Sequence, residues 1–136
     1  MDEVMQRILA ELEEAGEENP AAMLNTILDP NGDQQQLIAF QSALRRLVES
    51  GLAAMSVDRD QSRRLTDATV SVSLTEIDAL PTWLRFDLQK KYWADNRVKG
   101  PPFRQMYPQI VLTEAGRSAS VGILTQRGYQ WWRQQT

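Results

Sequence analysis

Four side chains, Gln35, Ser42, Arg45 and Arg46, fall within one periodic segment, and three more arginines, Arg59, Arg63 and Arg64, lie in a polar stretch shortly after it. Their chemistry is recognition by hydrogen bond and charge. A glutamine amide matches the edge of adenine and a guanidinium that of guanine. Arginine also takes phosphate oxygens two at a time. The rest of the chain offers little else. It has neither cysteine nor histidine, which removes disulfides, thiolate nucleophiles, sulfur metal sites and the commonest metal ligand and general base. There is no phosphate-binding P-loop, dinucleotide fingerprint, H-E-x-x-H or G-x-S-x-G. Asp58 and Asp60 stand two apart without further carboxylates to complete a cation site. Glu13/Glu14 and Glu17/Glu18 read as charge runs of a solvated face. The expectation is a protein that is not an enzyme, with no catalytic residue, cofactor or metal.

These side chains need elements to hold them. Val4, Met5, Ile8, Leu9 and Leu12 recur at helical spacing, predicting an amphipathic helix over 3–15 that ends at Gly16. Asn19 and Pro20 mark the N-cap and first position of a second helix, with Met23, Leu24, Ile27 and Leu28 apolar. Asp29-Pro30-Asn31-Gly32 has type I turn preferences. In the third helix Asp33 and Gln36 have capping-box spacing, and Leu37, Phe40, Leu44, Leu47 and Val48 form one stripe. Gly51-Leu52 predicts a Schellman stop. At about 100° per residue, Gln35, Ala39, Ser42, Arg46 and Glu49 fall opposite the stripe, flanked by Ile38 and Arg45.

Beyond Leu52, Ala53–Val57 reads as a strand. Arg59, Asp60, Arg63 and Arg64 occupy a polar loop, and residues 68–74 alternate with period two, predicting a returning strand. The stretch Phe40-Gln41-Ser42-Ala43-Leu44-Arg45-Arg46-Leu47-Val48-Glu49-Ser50-Gly51-Leu52 resembles the recognition helix of bacterial winged helix-turn-helix regulators, and the likeness in helix order covers residues 3–75. It departs in its turn between the second and third helices, which exceeds the usual three or four residues. The resemblance implies a DNA-binding transcriptional regulator. Gln35, Ser42, Arg45 and Arg46 would face the major groove, and Arg59, Arg63 and Arg64 the phosphate backbone. The alternative for the loop is a solvent-facing hairpin whose arginines keep an edge soluble.

The C-terminal part differs in kind. Of ten aromatic residues only Phe40 precedes position 80. Thr75 reads as the cap of the next helical turn, and Pro81 interrupts or restarts the helix, which then runs to about Trp93, with Trp83, Leu84, Leu88 and Tyr92 on one side and Asp87 placed to pair with Lys91. Such a helix suits either dimerisation or core packing. Residues 94–108 read as a loop, basic through Arg97, Lys99 and Arg104 and carrying Phe103 and Tyr107. That composition suits single-stranded nucleic acid or simple pinning of the loop. Gln109–Thr113 and Ser118–Leu124 read as a second hairpin, followed by a short helix capped by Thr125 with Trp132 packing back. The rival is one helix over 114–134, because Leu-Thr-Glu-Ala-Gly-Arg also resembles the junction after a wing. Gly116, Gly122 and Gly128 weigh against it, each weakening a helix by about 1 kcal/mol.

The 136 residues fit one domain. The expected class is α+β: a winged helix-turn-helix core over 1–75, three helices plus a β-hairpin wing, carrying an aromatic-rich extension over 76–136. The net charge of −3 conceals −8 over residues 1–33 and +5 over the remainder, so overall acidity does not oppose a nucleic-acid partner. The acidic, periodic N-terminus lacks the marks of a secretory signal, and no apolar run spans a bilayer. Expected are a cytoplasmic location, no membrane partner, double-stranded DNA as ligand and a homodimer. A module binding protein through the same fold is the alternative.

Overall fold

A computed structural model of the chain describes residues 1–58, 66–97 and 108–133. Three helices come first: α1 (Glu3–Ala15), α2 (Pro20–Ile27) and α3 (Gln34–Glu49), with the two-residue strand β1 (Glu17–Glu18) between the first pair. Each starts where a side chain satisfies a free N–H. The carboxylate of Asp2 accepts from Met5 N, the amide oxygen of Asn19 from Ala22 N, and the carboxylate of Asp33 from Gln35 N. The end of α3 is a complete Schellman motif, with Gly51 N donating to Val48 O at 3.0 Å and Leu52 N to Leu47 O at 2.9 Å. The capping box is not made. Gln36 instead accepts from Asn31 N and donates to Asp29 O, bracing the turn before the helix.

Strand β2 (Ala53–Val57) is the hub of an antiparallel sheet in the order β1-β6-β2-β3. Its long partner is β6 (Gln109–Leu112), paired Ala53 to Leu112 and Met55 to Ile110. Its short one is β3 (Thr66–Asp67), paired to Val57 and Ser56. The core lies between the helices and this sheet. Ile8, Leu9, Met23, Leu24, Ile27, Phe40, Leu44, Leu47, Met55 and Ile110 are all fully buried in it.

Three expectations for the later chain are overturned. Residues 68–74 do not return as a strand: Val70–Asp78 is helix α4, capped by Thr69, whose hydroxyl accepts from Val72 N. The alternation of Val70, Val72 and Leu74 invites a strand, but only burial of Ser73 and Ile77, four residues apart, satisfies the core. Ser73 Oγ then accepts Met55 N at 3.0 Å, and Met55 O accepts Ala68 N, completing that β2 peptide without a strand.

Nor does a helix run from Thr75 to Trp93. After α4 come one turn, α5 (Leu80–Trp83), and a hairpin of β4 (Leu84–Asp87) and β5 (Tyr92–Asp95). Asn25 of α2 decides this. Its side chain accepts from Trp93 N at 2.7 Å and donates to Trp93 O at 2.9 Å, serving as a strand partner. The Asp87 carboxylate accepts from Gln89 N and Lys90 N in the turn, instead of forming the expected pair with Lys91. Leu88, expected on an apolar side, is 82% exposed at the tip. Arg97, expected in a basic loop, is held by Asp95 at 2.6 Å and Glu76 at 3.4 Å.

The second hairpin is also absent. Residues Glu114–Arg127 form helix α6, capped by Thr113, whose hydroxyl accepts from Gly116 N. This agrees with the single-helix rival as far as Arg127, beyond which 128–133 are turns and no helix starts at Thr125. Two of the glycines that weigh against it, Gly116 and Gly128, have other duties. A Cβ on Gly116 would lie 1.8 Å from Leu52 O, so that position admits no side chain where the first turn of α6 meets the backbone just after α3. Gly128, at φ +94°, ends the helix. Trp132 does pack back and is fully buried.

Candidate nucleic-acid interface

The stripe Leu37, Phe40, Leu44, Leu47 and Val48 of α3 is buried along its whole length. That fixes the helix's rotation and turns Gln34, Gln35, Ile38, Ala39, Ser42 and Arg46 to solvent. Gln35, Ser42 and Arg46 thus share one uncovered face. Arg45 sits on its flank, half-buried against α4. Gln41, from the same flank, donates to Ile77 O at 2.9 Å and ties the two helices together.

Neither arginine is without a partner. Arg45 reaches Asp78 at 2.7 Å and Glu49 at 3.5 Å; Arg46 reaches Asp2 at 3.3 Å. The Arg46 side chain is 63% exposed. Such surface pairs contribute about 0–1 kcal/mol and yield to salt or to a better anion. Arg59, Arg63 and Arg64 lie outside the described residues, as do Lys99, Phe103, Arg104 and Tyr107.

Sequence reasoning missed the acids of this face. Asp2 is 44 positions from Arg46 and Asp78 is 33 from Arg45, and only the docking of α1 and α4 on α3 joins them. Ile38 lies beside the outer face, as its spacing predicts; its 51% exposure makes it the largest apolar group there.

A second cluster lies around α1 and β1, among the glutamates whose runs, Glu13/Glu14 and Glu17/Glu18, read as a solvated face. Glu11 is 3% exposed, and one of its oxygens accepts from Trp132 Nε1 at 2.8 Å and Arg133 Nε at 3.3 Å. Glu18, half-buried in β1, has its pKa pushed up from 4.5 to about 8. Burial is the main cause, followed by a hydrogen bond to Glu11 and the charge of Glu11; Arg133 opposes them. The raised value favours the protonated form of Glu18 beside the charged Glu11. Glu13 accepts from the buried hydroxyl of Ser120 at 2.8 Å. Glu11 and Glu13 thus hold the C-terminal turns and α6 on α1. An open cavity of about 660 Å³ nearby is bordered by Glu11, Asn25, Asp29, Lys91, Tyr92 and Arg133. Among the described residues no three acids converge on a point where a cation would sit.

No family model, curated protein or solved structure matches this chain. No helix among the described residues is long and apolar enough to cross a membrane.

Proposed function

We propose that the chain is a winged-helix protein that binds duplex DNA through the outer face of α3 and regulates transcription as a homodimer. The observation that carries the reading is that face: Gln35, Ser42 and Arg46 stand uncovered on a helix whose opposite side is entirely buried. Leu112-Thr113-Glu114-Ala115-Gly116-Arg117, which resembles the junction after a wing, begins at the last residue of a strand paired with β2. On this reading β2 and β6 are the wing strands, rather than β2 and residues 68–74, and residues 58–108 are an insertion between them. The insertion carries Arg59, Arg63 and Arg64 as backbone-contacting cations.

Fluorescence anisotropy with labelled duplexes at low salt tests the role. Arg46→Ala should lower affinity by about tenfold, the loss expected when a base-edge or phosphate contact of about 1–3 kcal/mol disappears. Absence of duplex binding by the unaltered chain overturns the role.

A second reading, a protein-binding module, draws on Ile38 and on the acids that already engage Arg45 and Arg46. It predicts a stoichiometric protein complex that survives nuclease and is lost on Ile38→Asp.

A further inference from the structure

The β4–β5 hairpin plays no part in the role assigned to α3, yet its tip is the most conspicuous surface among the described residues. All four tip residues, Leu88, Gln89, Lys90 and Lys91, are exposed. Leu88 is the most exposed large hydrophobic side chain described. The tip is ordered in spite of that. Asp87 accepts from Gln89 N at 2.9 Å and Lys90 N at 3.0 Å, and Lys91 N donates to Asp87 O at 2.7 Å. The acid next to the tip is thereby occupied inside the turn, and Asp95, the other acid of the hairpin, is held by Arg97. Lys91 adopts φ +57°, where the backbone favours glycine or asparagine. A lysine there sacrifices backbone comfort and keeps a cation.

The base of the hairpin fixes where the tip stands. Phe86 fills the space at Gly32, where a Cβ would come within 2.7 Å of its ring. Trp93 packs edge-on against Phe86 at 5.5 Å and directs its Nε1 to Gln36 Oε1 at 3.4 Å. With Asn25 holding the Trp93 backbone, the hairpin is locked to α2, to the turn before α3 and to the first turn of α3. That is the end of a recognition helix that meets base edges.

We propose that this tip is a second contact to duplex DNA, with Lys90 and Lys91 on phosphates and Leu88 against the sugar and base edges of the minor groove. The inference rests on the duplex-binding reading of α3. Two lysines around a protruding aliphatic side chain match a groove walled by phosphates. A protein partner is the poorer fit, because lysine is depleted at protein–protein interfaces. The acids facing the tip are Asp87, engaged in the turn, and, across the open cavity from Lys91, Asp29 and Glu11, the latter already held by Trp132 and Arg133.

The test uses the full chain and a labelled mixed-sequence duplex of about 20 base pairs, titrated over a range of salt. Lys90→Gln with Lys91→Gln should lower the slope of log affinity against log salt by about two, and arginine at both positions should restore it. Leu88→Ser should weaken binding several-fold with the slope unchanged. Circular dichroism and melting of each variant check that the hairpin remains folded. If the unaltered chain binds duplex and either tip variant binds indistinguishably from it, the tip contact is wrong while the α3 role stands. If the unaltered chain binds no duplex, both are wrong.

Discussion

At the level of single residues, the most consequential group is one that looked like surface charge. Glu18 neighbours Glu17 in sequence, and adjacent glutamates read as solvated. In a strand, however, successive side chains point to opposite sides; Glu17 is exposed and Glu18 is half-buried against Glu11. The consequence is a pH dependence of definite sign. Its folded pKa, about 8, lies above the ordinary 4.5. The stability it contributes is therefore complete below about 4.5 and is lost as pH rises through about 8. Glu18→Gln keeps a donor towards Glu11 and cannot ionise. Thermal melts between pH 6 and 9 should show the parent losing stability with rising pH and the variant losing clearly less. Parallel curves would mean that no proton is shared. Glu3 acts in the opposite sense. The hydrogen bond from Arg127 leads in lowering its pKa, ahead of the second bond from Arg7, so its contribution is present above the ordinary value and fades in acid.

At the level of elements, what could be read early was local. Asn19 before Pro20, Asp33, Gly16 and Gly51-Leu52 are punctuation whose partners lie within a turn, and they set the bounds of α1, α2 and α3. The misread elements are those decided by distant partners. Residues 68–74 are helical because Ser73 and Ile77 turn inward together. Residues 84–95 form a hairpin because Asn25, 68 positions away, bonds the Trp93 peptide. Gly116 resembled a helix breaker and is instead a point of contact. Its signal, Thr-Glu-Ala-Gly after a short apolar run, becomes decisive only once Leu52 is known to press there. Gly116→Ala should destabilise the chain by about 3 kcal/mol, at the upper end for overpacking, since backbone is what the new Cβ would meet. Denaturant melts check this; a change below 0.5 kcal/mol would contradict the close crossing of α6 and Leu52. At the hairpin tip, Lys91→Gly relieves a left-handed residue and should raise stability by about 1 kcal/mol.

For the whole molecule, the acidic N-terminal quarter and the basic remainder are interleaved. Asp2 reaches Arg46, Glu3 reaches Arg127, and Glu11 with Glu14 holds Arg133. Part of the split in charge along the sequence is thus spent on holding α1 to α3, α6 and the C-terminal turns. Net charge could never have revealed this, because pairing depends on which helices dock. The uncovered face of α3 remains the feature that function turns on. The most direct test follows the amide and side-chain NMR signals of the full chain as a DNA duplex is added. The account predicts that signals of Gln34, Gln35, Ile38, Ser42 and Arg46 shift and broaden together, while those of buried Leu44 and Leu47 move little. Saturating duplex that leaves the α3 signals untouched would contradict it.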